Sequence, residues 1–295
     1  MDENTMRYAL FQGCQIPARL PQYETAARAV LETFDVELME LKAFACCGYP
    51  MRNTDLTASL LAAARNLAIA QMHHLPILVL CQCGYGQLTY AAHRLKEEPT
   101  LKEQLNHILT REGLEYTHPP EIKHLLTVLF HEIGTEAIKE KITTPFTDLR
   151  IATHYGCHAL RPSEITAFDD PVNPTLFDEL VALTGAESIM WEARLECCGA
   201  PLFGSNDTLA LSLMEKKITS AHTAGAHYLA VACPYCHLQF DSVQKMLSIR
   251  DNTNHTLASI LYPQLLGLSM GMDGERLGLG MNELDITGVV GFLGG

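Results

Sequence analysis

Ten cysteines are the residues of this sequence with the clearest chemical potential, and they fall into two copies of one pattern. Each copy contains a single cysteine, an adjacent pair and a closely spaced pair. The copies are Cys14, Cys46, Cys47, Cys81 and Cys83, and then Cys157, Cys197, Cys198, Cys233 and Cys236. Thiolates at this density select iron–sulfur clusters, zinc or copper(I). The sequence therefore predicts two similar metal sites, one in each half of the chain.

The spacing of cysteines within each copy helps to distinguish between these kinds of metal site. The intervening residues number 31 and then 33 in the first copy, and 39 and then 34 in the second. A structural zinc site needs four ligands, whereas each copy offers five thiols. A cubane site of the bacterial ferredoxin type takes three cysteines from one short run, which these spacings do not supply. Adjacent cysteines can reach two irons or help one thiolate bridge them, so the pattern favours a multinuclear iron–sulfur centre.

Predicted strands must position these cysteines. In the first half, the apolar segments that precede the three cysteine groups are residues 7–13, 36–41 and 75–80. Helices predicted over residues 24–34 and 56–72 connect them, the second with Thr54 or Asp55 as its N-cap. Ligand sites in open α/β sheets lie outside the carboxyl ends of the strands. The three loops can therefore converge although more than thirty residues separate them.

The second half repeats this order of elements. Its predicted strands and helices are residues 149–155, 175–184, 188–191, 209–224 and 228–232. Between the halves, residues 101–111 and 121–133 have the pattern of amphipathic helices. The tail from residue 268 is rich in Gly and Met without a firm period, which predicts an extended arm available for docking on a partner.

Composition excludes several classes of partner. The formal net charge of −13, without a block of Lys or Arg, argues against nucleic-acid binding and permits a basic protein partner. Residues 1–4 are acidic and polar and predict no signal peptide. No stretch reaches the roughly 18 apolar residues of a membrane span. We therefore expect a cytoplasmic protein whose thiols stay reduced.

Six segments together resemble the CCG-domain family, in particular the B subunits of heterodisulfide reductases. They are FQGC (residues 11–14), ACCGYP (45–50), KHLLTVL (123–129), HYGCHALRP (154–162), ECCGAP (196–201) and ACPYCHLQFD (232–241). In that family each five-cysteine set holds a noncubane [4Fe-4S] cluster. The B subunit of that family cleaves a disulfide between its two clusters, with electrons from a cubane-bearing C subunit and a flavin-bearing A subunit.

The resemblance implies an α/β fold of two pseudo-symmetric Rossmann-like halves from a duplicated CCG domain, with cluster sites at the carboxyl ends of strands and a helical insertion between the halves. We expect the first CCG domain at residues 1–100, a helical bridge at 101–147, the second CCG domain at 148–266 and a C-terminal arm at 267–295. The resemblance also implies two noncubane [4Fe-4S] clusters, HdrC-like and HdrA-like partner subunits, and a small-molecule disulfide or persulfide as substrate.

The first cysteine set departs from the family pattern. The closing pair of the family has two residues between its cysteines, as Cys233 and Cys236 have, whereas only Gln82 separates Cys81 from Cys83. Gly84 stands where the last thiol is expected. Either Cys83 reaches the iron through a rearranged loop, which the neighbouring glycines would make easier, or the first cluster differs in form.

Three histidines lie next to the second cysteine set. We expect His158 to supply protons, because it follows Cys157 and imidazole titrates near neutral pH; the alternative is a polar neighbour that hydrogen-bonds a sulfur or the backbone. His154 is interpreted as a structural group or a hydrogen-bond donor behind the ligands. His237 either tunes the potential through a hydrogen bond to sulfur or is exposed to solvent.

Two other classes of function stay open. The chain could be an electron-transfer component of another oxidoreductase that cleaves no disulfide, or a zinc-stabilised structural protein, which the fifth thiol in each half disfavours. No Walker-type loop and no GxGxxG motif after the first strand is present. We therefore expect no flavin or nucleotide on this chain.

Overall fold

The structure is a computed structural model that describes residues 6–250 and 256–294. Its first sheet contains four strands: β1 (Arg7–Phe11), β2 (Glu37–Met39), β3 (Ile77–Val79) and β4 (Ile122–His124). Its second sheet also contains four: β5 (Arg150–His154), β6 (Glu187–Ser188), β7 (Tyr228–Val231) and β8 (Ser259–Leu261). The prediction for residues 1–4 lies outside the described part of the chain.

The two sheets have the same topology. Their strand orders are β2-β1-β3-β4 and β6-β5-β7-β8, and every pairing is parallel. The longest strand of each sheet, β1 or β5, has a central position and is buried after its first residue, as expected for a parallel sheet covered by helices on both faces. Two sheets of the same order confirm the predicted α/β fold of duplicated, Rossmann-like halves.

Helices connect the strands. The α-helices are α1 (Gln15–Arg19), α2 (Pro21–Glu32), α3 (Leu56–Met72), α4 (Gln82–Glu97), α5 (Pro99–Leu109), α6 (Leu125–Thr127), α7 (Thr135–Lys141), α8 (Cys157–Leu160), α9 (Ser163–Thr166), α10 (Leu176–Leu183), α11 (Asp207–Thr223), α12 (Pro234–Leu238), α13 (Gln244–Arg250) and α14 (Tyr262–Ser269). Single turns of 3₁₀-helix include Tyr49–Met51 and Ala200–Leu202, and π-helical turns cover Val128–Gly134 and Gln239–Val243. Among the described residues, no helix is long and apolar enough to cross a membrane.

Corresponding helices of the two halves are built in the same way. Helices α3 and α11 each contain 17 residues, and each begins after an N-cap side chain that accepts a main-chain hydrogen bond. Asp55 Oδ1 accepts from Ala58 N at 2.9 Å, and Asn206 Oδ1 accepts from Leu209 N at 3.1 Å. Such caps satisfy N–H groups that have no partner within the helix. The caps therefore fix the residue at which each helix begins after the preceding double cysteine.

The halves share one continuous hydrophobic core. Helix α14, which follows the last strand of the second half, packs against α2 of the first half, and α4 packs against α8 and α9. Contacts of this kind fix the position of one half relative to the other. Side chains at the carboxyl ends of both sheets can therefore form a single site.

Two segments differ from the sequence-based predictions. Residues 121–133 were expected to form one helix, but Ile122–His124 adds a strand to the first sheet before the helical part begins. The tail was expected to be an extended arm, but Leu277, Leu279, Ile286 and Val289 are buried in the core of this chain. Leu293 also pairs with Phe146 in an antiparallel bridge. The apolar residues of the tail pack against several other elements of the core, so their spacing follows neither a helical nor a strand period.

Candidate metal centre

Single cysteines follow the carboxyl ends of the central strands in each sheet. Cys14 and Cys81 come after β1 and β3, and Cys157 and Cys233 come after β5 and β7. Because β1 lies beside β3 and β5 lies beside β7, the two cysteines of each pair emerge at the same edge. The sheet order thus brings together thiols that are distant in sequence.

The double cysteines are held by two equivalent turns. Gly48 and Gly199 each have φ of +86°, and a Cβ at either position would lie 2.3 Å from a main-chain oxygen, that of Ser59 or Ala210. Only glycine fits a backbone that is both left-handed and so close to the next helix. Gly48 N lies 3.5 Å from Cys46 Sγ, and Gly199 N lies 3.4 Å from Cys197 Sγ. The turns therefore position the thiols and aim N–H donors at them.

The thiols of the first set interact closely. Hydrogen bonds from Cys14, Cys47 and the Gly48 N–H lower the pKa of the Cys46 thiol, and the Cys46 partner raises the pKa of Cys14. Gly84 N donates to Cys81 Sγ at 3.3 Å. N–H groups aimed at sulfur stabilise the thiolate form, which is the form that binds metal.

The second set repeats these interactions. Hydrogen bonds from Cys157, Cys198 and the Gly199 N–H lower the pKa of the Cys197 thiol. Cys198 Sγ, Cys236 Sγ and a ring nitrogen of His154 all lie within 4.8 Å of one another. His154 Nε2 is 3.2 Å from Cys236 Sγ, and its Nδ1 has no hydrogen-bond partner among the described residues. His154 is therefore in direct contact with the second cysteine set.

The two sets adjoin each other. The Sγ atoms of Cys81, Cys83 and Cys233 lie within 4.8 Å of one another, although Cys233 belongs to the second set. All ten cysteines are free thiols, and six of them are buried: Cys47, Cys81, Cys83, Cys198, Cys233 and Cys236. The two sequence-predicted sets therefore meet at Cys81, Cys83 and Cys233, whereas four of the other cysteines are partly exposed.

The second half has no thiol at the position that corresponds to Cys83. Cys81 and Cys233 are the N-caps of α4 and α12, so that Gly84 corresponds to Cys236 and Cys83 to Tyr235. A Cβ on Gly84 would lie 3.5 Å from both Cys81 Cβ and Phe11 Cε1, in ordinary contact. Cys83 Sγ instead lies 3.4 Å from His158 Nδ1 in the second half. Its thiol is therefore at the junction of the two sets.

His158 also lies between the sets. Its Nδ1 is 3.4 Å from Cys83 Sγ and 3.6 Å from Cys157 Sγ. The ring of Tyr49 meets the imidazole edge to face, with centroids 4.6 Å apart. Burial lowers the pKa of His158, so the imidazole is mainly neutral at pH 7. A neutral imidazole with one N–H can pass on a proton without charging the site.

His237 differs from both of the sequence-based alternatives. It is completely buried, with Nδ1 3.0 Å from Ser259 Oγ and Nε2 3.7 Å from Asp241 Oδ2. Its ring is therefore neither exposed nor, in the contacts described, hydrogen-bonded to sulfur. Helix α12 turns it away from Cys236 towards β8, a contact between elements that sequence spacing does not reveal.

The donor set fits an iron–sulfur group. A narrow cavity among the thiols is lined from both halves, by Cys83, His158, Cys198 and Cys233 among others. Both polar atoms of the buried Gln82 side chain lack hydrogen-bond partners among the described residues. Soft thiolates, aimed N–H groups and unpaired buried polar atoms suit a sulfide-containing cluster, whose potential depends on such hydrogen bonds. Sequence reasoning missed Gln82, which carries no motif beyond its place between two cysteines.

The fold and the site thus define a duplicated α/β protein with two adjoining cysteine sets. The CCG family, described as a cysteine-rich domain, matches residues 8–89 and 151–241. The chain belongs to this family. Among solved structures, a hypothetical protein from Helicobacter pylori has the same fold, with a TM-score of 0.75 at 19% identity over 95% of this chain. This chain spans 52% of that protein's length.

Curated relatives match almost the whole chain. The B subunit of the ferredoxin/F(420)H(2)-dependent CoB-CoM heterodisulfide reductase of Methanosarcina acetivorans is 34% identical, over 94% of each chain. The B subunit of the ferredoxin:CoB-CoM heterodisulfide reductase of Methanosarcina mazei is 35% identical, also over 94% of each. The 8-methylmenaquinol:fumarate reductase membrane anchor subunit of Wolinella succinogenes is 31% identical, over 95% of this chain and 98% of its own. Within the CCG family, the chain is thus similar to heterodisulfide reductase B subunits over 94% of its length.

Proposed function

We propose that this chain is the catalytic B-type component of a cytoplasmic heterodisulfide reductase or of a related complex. The observation that carries the proposal is the meeting of the two cysteine sets, where Cys81 and Cys83 lie within 4.8 Å of Cys233. Two redox groups on either side of one small space suit the cleavage of a bond between two sulfurs. The near full-length similarity to heterodisulfide reductase B subunits supports the same conclusion.

Each cysteine set would hold one noncubane [4Fe-4S] cluster. The ligands would be Cys14, Cys46, Cys47, Cys81 and Cys83 for the first cluster, and Cys157, Cys197, Cys198, Cys233 and Cys236 for the second. The hydrogen bonds that favour thiolate at Cys46 and Cys197 support these assignments. Cys83 would be the fifth ligand of the first set. It lies one residue before Gly84, which is the position that corresponds to Cys236 in the second set.

Reduction of a disulfide consumes two electrons and two protons, breaks the S–S bond and yields two thiols. The bound clusters would supply the electrons and attract the product sulfurs. His158 would deliver protons, because Nδ1 points at the junction between Cys83 and Cys157. Tyr49 packs against the imidazole and Tyr235 packs against Tyr49, which limits the access of water. The reverse reaction would pass the proton back to His158 as a disulfide forms.

Electrons would reach the site through partner subunits. We assign these roles to a ferredoxin-type HdrC-like protein and a flavin-bearing HdrA-like protein, since this sequence contains no nucleotide-binding motif. The substrate would be a small-molecule disulfide or persulfide. A density of free thiols such as this suits a reducing compartment.

A second candidate function is electron transfer without disulfide cleavage. The relative from Wolinella succinogenes, named as part of a fumarate reductase, favours it. In that case the two cysteine sets would relay electrons, and His158 would only stabilise sulfur through a hydrogen bond.

Iron and acid-labile sulfide on anaerobically purified protein, together with disulfide reduction by a viologen donor, test the proposal. About eight of each per chain and turnover of a disulfide are the expected results. Cys47→Ser and Cys198→Ser form a matched pair, because these thiols occupy equivalent turns; each should remove one cluster and stop turnover. Eight irons without turnover of any disulfide would favour electron transfer, and protein without iron would contradict both functions.

A further inference from the structure

Lys217 is a completely buried lysine beside the second cysteine set. It lies on α11, the helix that packs against the Cys197–Cys198–Gly199 turn, and its exposed fraction is 0%. Its Nζ donates a hydrogen bond to the main-chain oxygen of Ala193 and lies 4.4 Å from the centroid of the Trp191 ring. Lysine is rarely buried unless its charge is compensated.

The groups that favour the charged form of Lys217 lie in the second cysteine set and directly beside it, at Glu196. In the described parts of the chain, no carboxylate forms an ion pair with Lys217, whereas the exposed neighbour Lys216 pairs with Glu196 at 2.7 Å. Burial lowers the pKa of Lys217 to about 8, and Cys198, Cys236, the Glu196 carboxylate and Cys197 oppose that decrease. A cation that stays charged in such a place requires negative charge nearby.

The first half has a neutral residue at the equivalent position. Asn66 lies ten residues after the start of α3, as Lys217 lies ten residues after the start of α11, and both helices contain 17 residues. The Asn66 side chain binds the first double-cysteine loop: Nδ2 donates to Cys46 O at 3.1 Å, and Oδ1 accepts from Ala45 N at 2.9 Å. The repeat therefore preserves the contact between helix and loop but differs by one buried charge.

We propose that Lys217 is a positioning residue that raises the reduction potential of the second-half cluster above that of the first-half cluster. This inference rests on the proposed function, since it requires a cluster in each half. Reduction adds one negative charge to a cluster, and a fixed cation within a low-dielectric interior favours the more negative state. Electrons delivered to the chain would then collect first at the second half.

Redox titration monitored by electron paramagnetic resonance tests this assignment. In the Lys217→Met variant, which keeps most of the length of the side chain without its charge, the one-electron reduction equilibrium of one cluster should become about tenfold less favourable or more, equivalent to about 59 mV per tenfold. The other cluster is the internal reference. The matched control is Lys216→Met, which removes an equal but solvent-screened charge and should leave both potentials unchanged.

Unchanged potentials in a Lys217→Met protein with full iron content would overturn the inference while leaving the proposed function intact. Wild-type protein gives an independent test that does not depend on the folding of that variant. Its two clusters should titrate at least about tenfold apart in equilibrium constant, with the second half reduced first. The Cys47→Ser variant retains the second-half cluster and so identifies its wave. Coincident waves, or the opposite order, would also overturn the inference, whereas wild-type protein without iron would contradict the proposed function itself.

Discussion

Cys83 Sγ lies 3.4 Å from His158 Nδ1, although 75 residues separate them in sequence. The contact joins the two halves of the chain, because α4 carries the thiol and α8 carries the imidazole. Gly86 allows the two helices to approach, since a Cβ there would lie 2.5 Å from the main-chain oxygen of His158. His158, the proposed proton donor of the second half, is therefore in contact with the cysteine set of the first half.

The first prediction concerns this imidazole. His158→Gln should keep both clusters but lower disulfide turnover about a hundredfold or more, the range expected for the loss of a proton-transferring group. Iron per chain and anaerobic turnover measure the two effects separately. The exposed His131→Gln is the control and should change neither. Full turnover by the His158 variant would assign the imidazole to a structural role.

The second prediction moves a thiol by one residue. The double variant Cys83→Gly with Gly84→Cys should keep its iron content, because a Cβ at residue 84 meets Val79, Cys81 and Phe11 at 3.4–3.5 Å, in ordinary contact. The moved thiol would occupy the position of Cys236 in the second half. Iron and sulfide analysis checks it against Cys83→Gly alone. Equal loss of iron from both variants would mean that the first site requires the thiol at residue 83.

The third prediction compares two glycines with the same left-handed backbone. Gly199 and Gly204 have φ of +86° and +88°, but a Cβ would meet a main-chain oxygen at 2.3 Å only at Gly199. Gly204→Ala should cost about 1–2 kcal/mol of conformational strain, and Gly199→Ala about 2–5 kcal/mol, since overpacking adds to the strain. Thermal unfolding and iron content measure the difference. Similar losses in the two variants would show that strain alone accounts for both.

Much of the fold follows from local sequence. Helix α3 coincides with the predicted residues 56–72, because the apolar period and the Asp55 cap agree. Strand β4 was missed because its three residues lie within a helical pattern and are stabilised only by pairing with β3. The convergence of cysteines in each half was predictable from the strand ends, since parallel strands share an edge.

The contacts between the two halves could not be predicted from the spacing of residues in the sequence. Nothing in the sequence places Cys83 against His158, because that contact depends on the packing of α4 against α8. Lys217 looks like any other charged residue of a helix until its side chain is seen to be buried. Its only sequence signal is the alignment of the two repeats, in which it stands opposite Asn66.

His124 provides a last prediction, on the dependence of stability on pH. It is completely buried against Tyr85 and Phe168, and its Nδ1 accepts a hydrogen bond from Leu126 N at 3.2 Å as the N-cap of α6. Burial lowers the pKa of His124 to about 4 from an ordinary 6.5. The unfolded chain therefore takes up this proton first as the pH falls.

Because the unfolded state binds the proton first, the contribution of neutral His124 is fully present above pH 6.5 and is lost as the pH falls towards 4, at about 1.4 kcal/mol per pH unit. His124→Asn keeps an N-cap acceptor but cannot be protonated, so the free energy of unfolding should depend less steeply on pH by that amount. Denaturant unfolding of both proteins between pH 7 and 4.5 measures it, with the exposed His93→Asn as control. Equal slopes for the wild type and the His124 variant would mean that His124 is protonated equally in the folded and unfolded states.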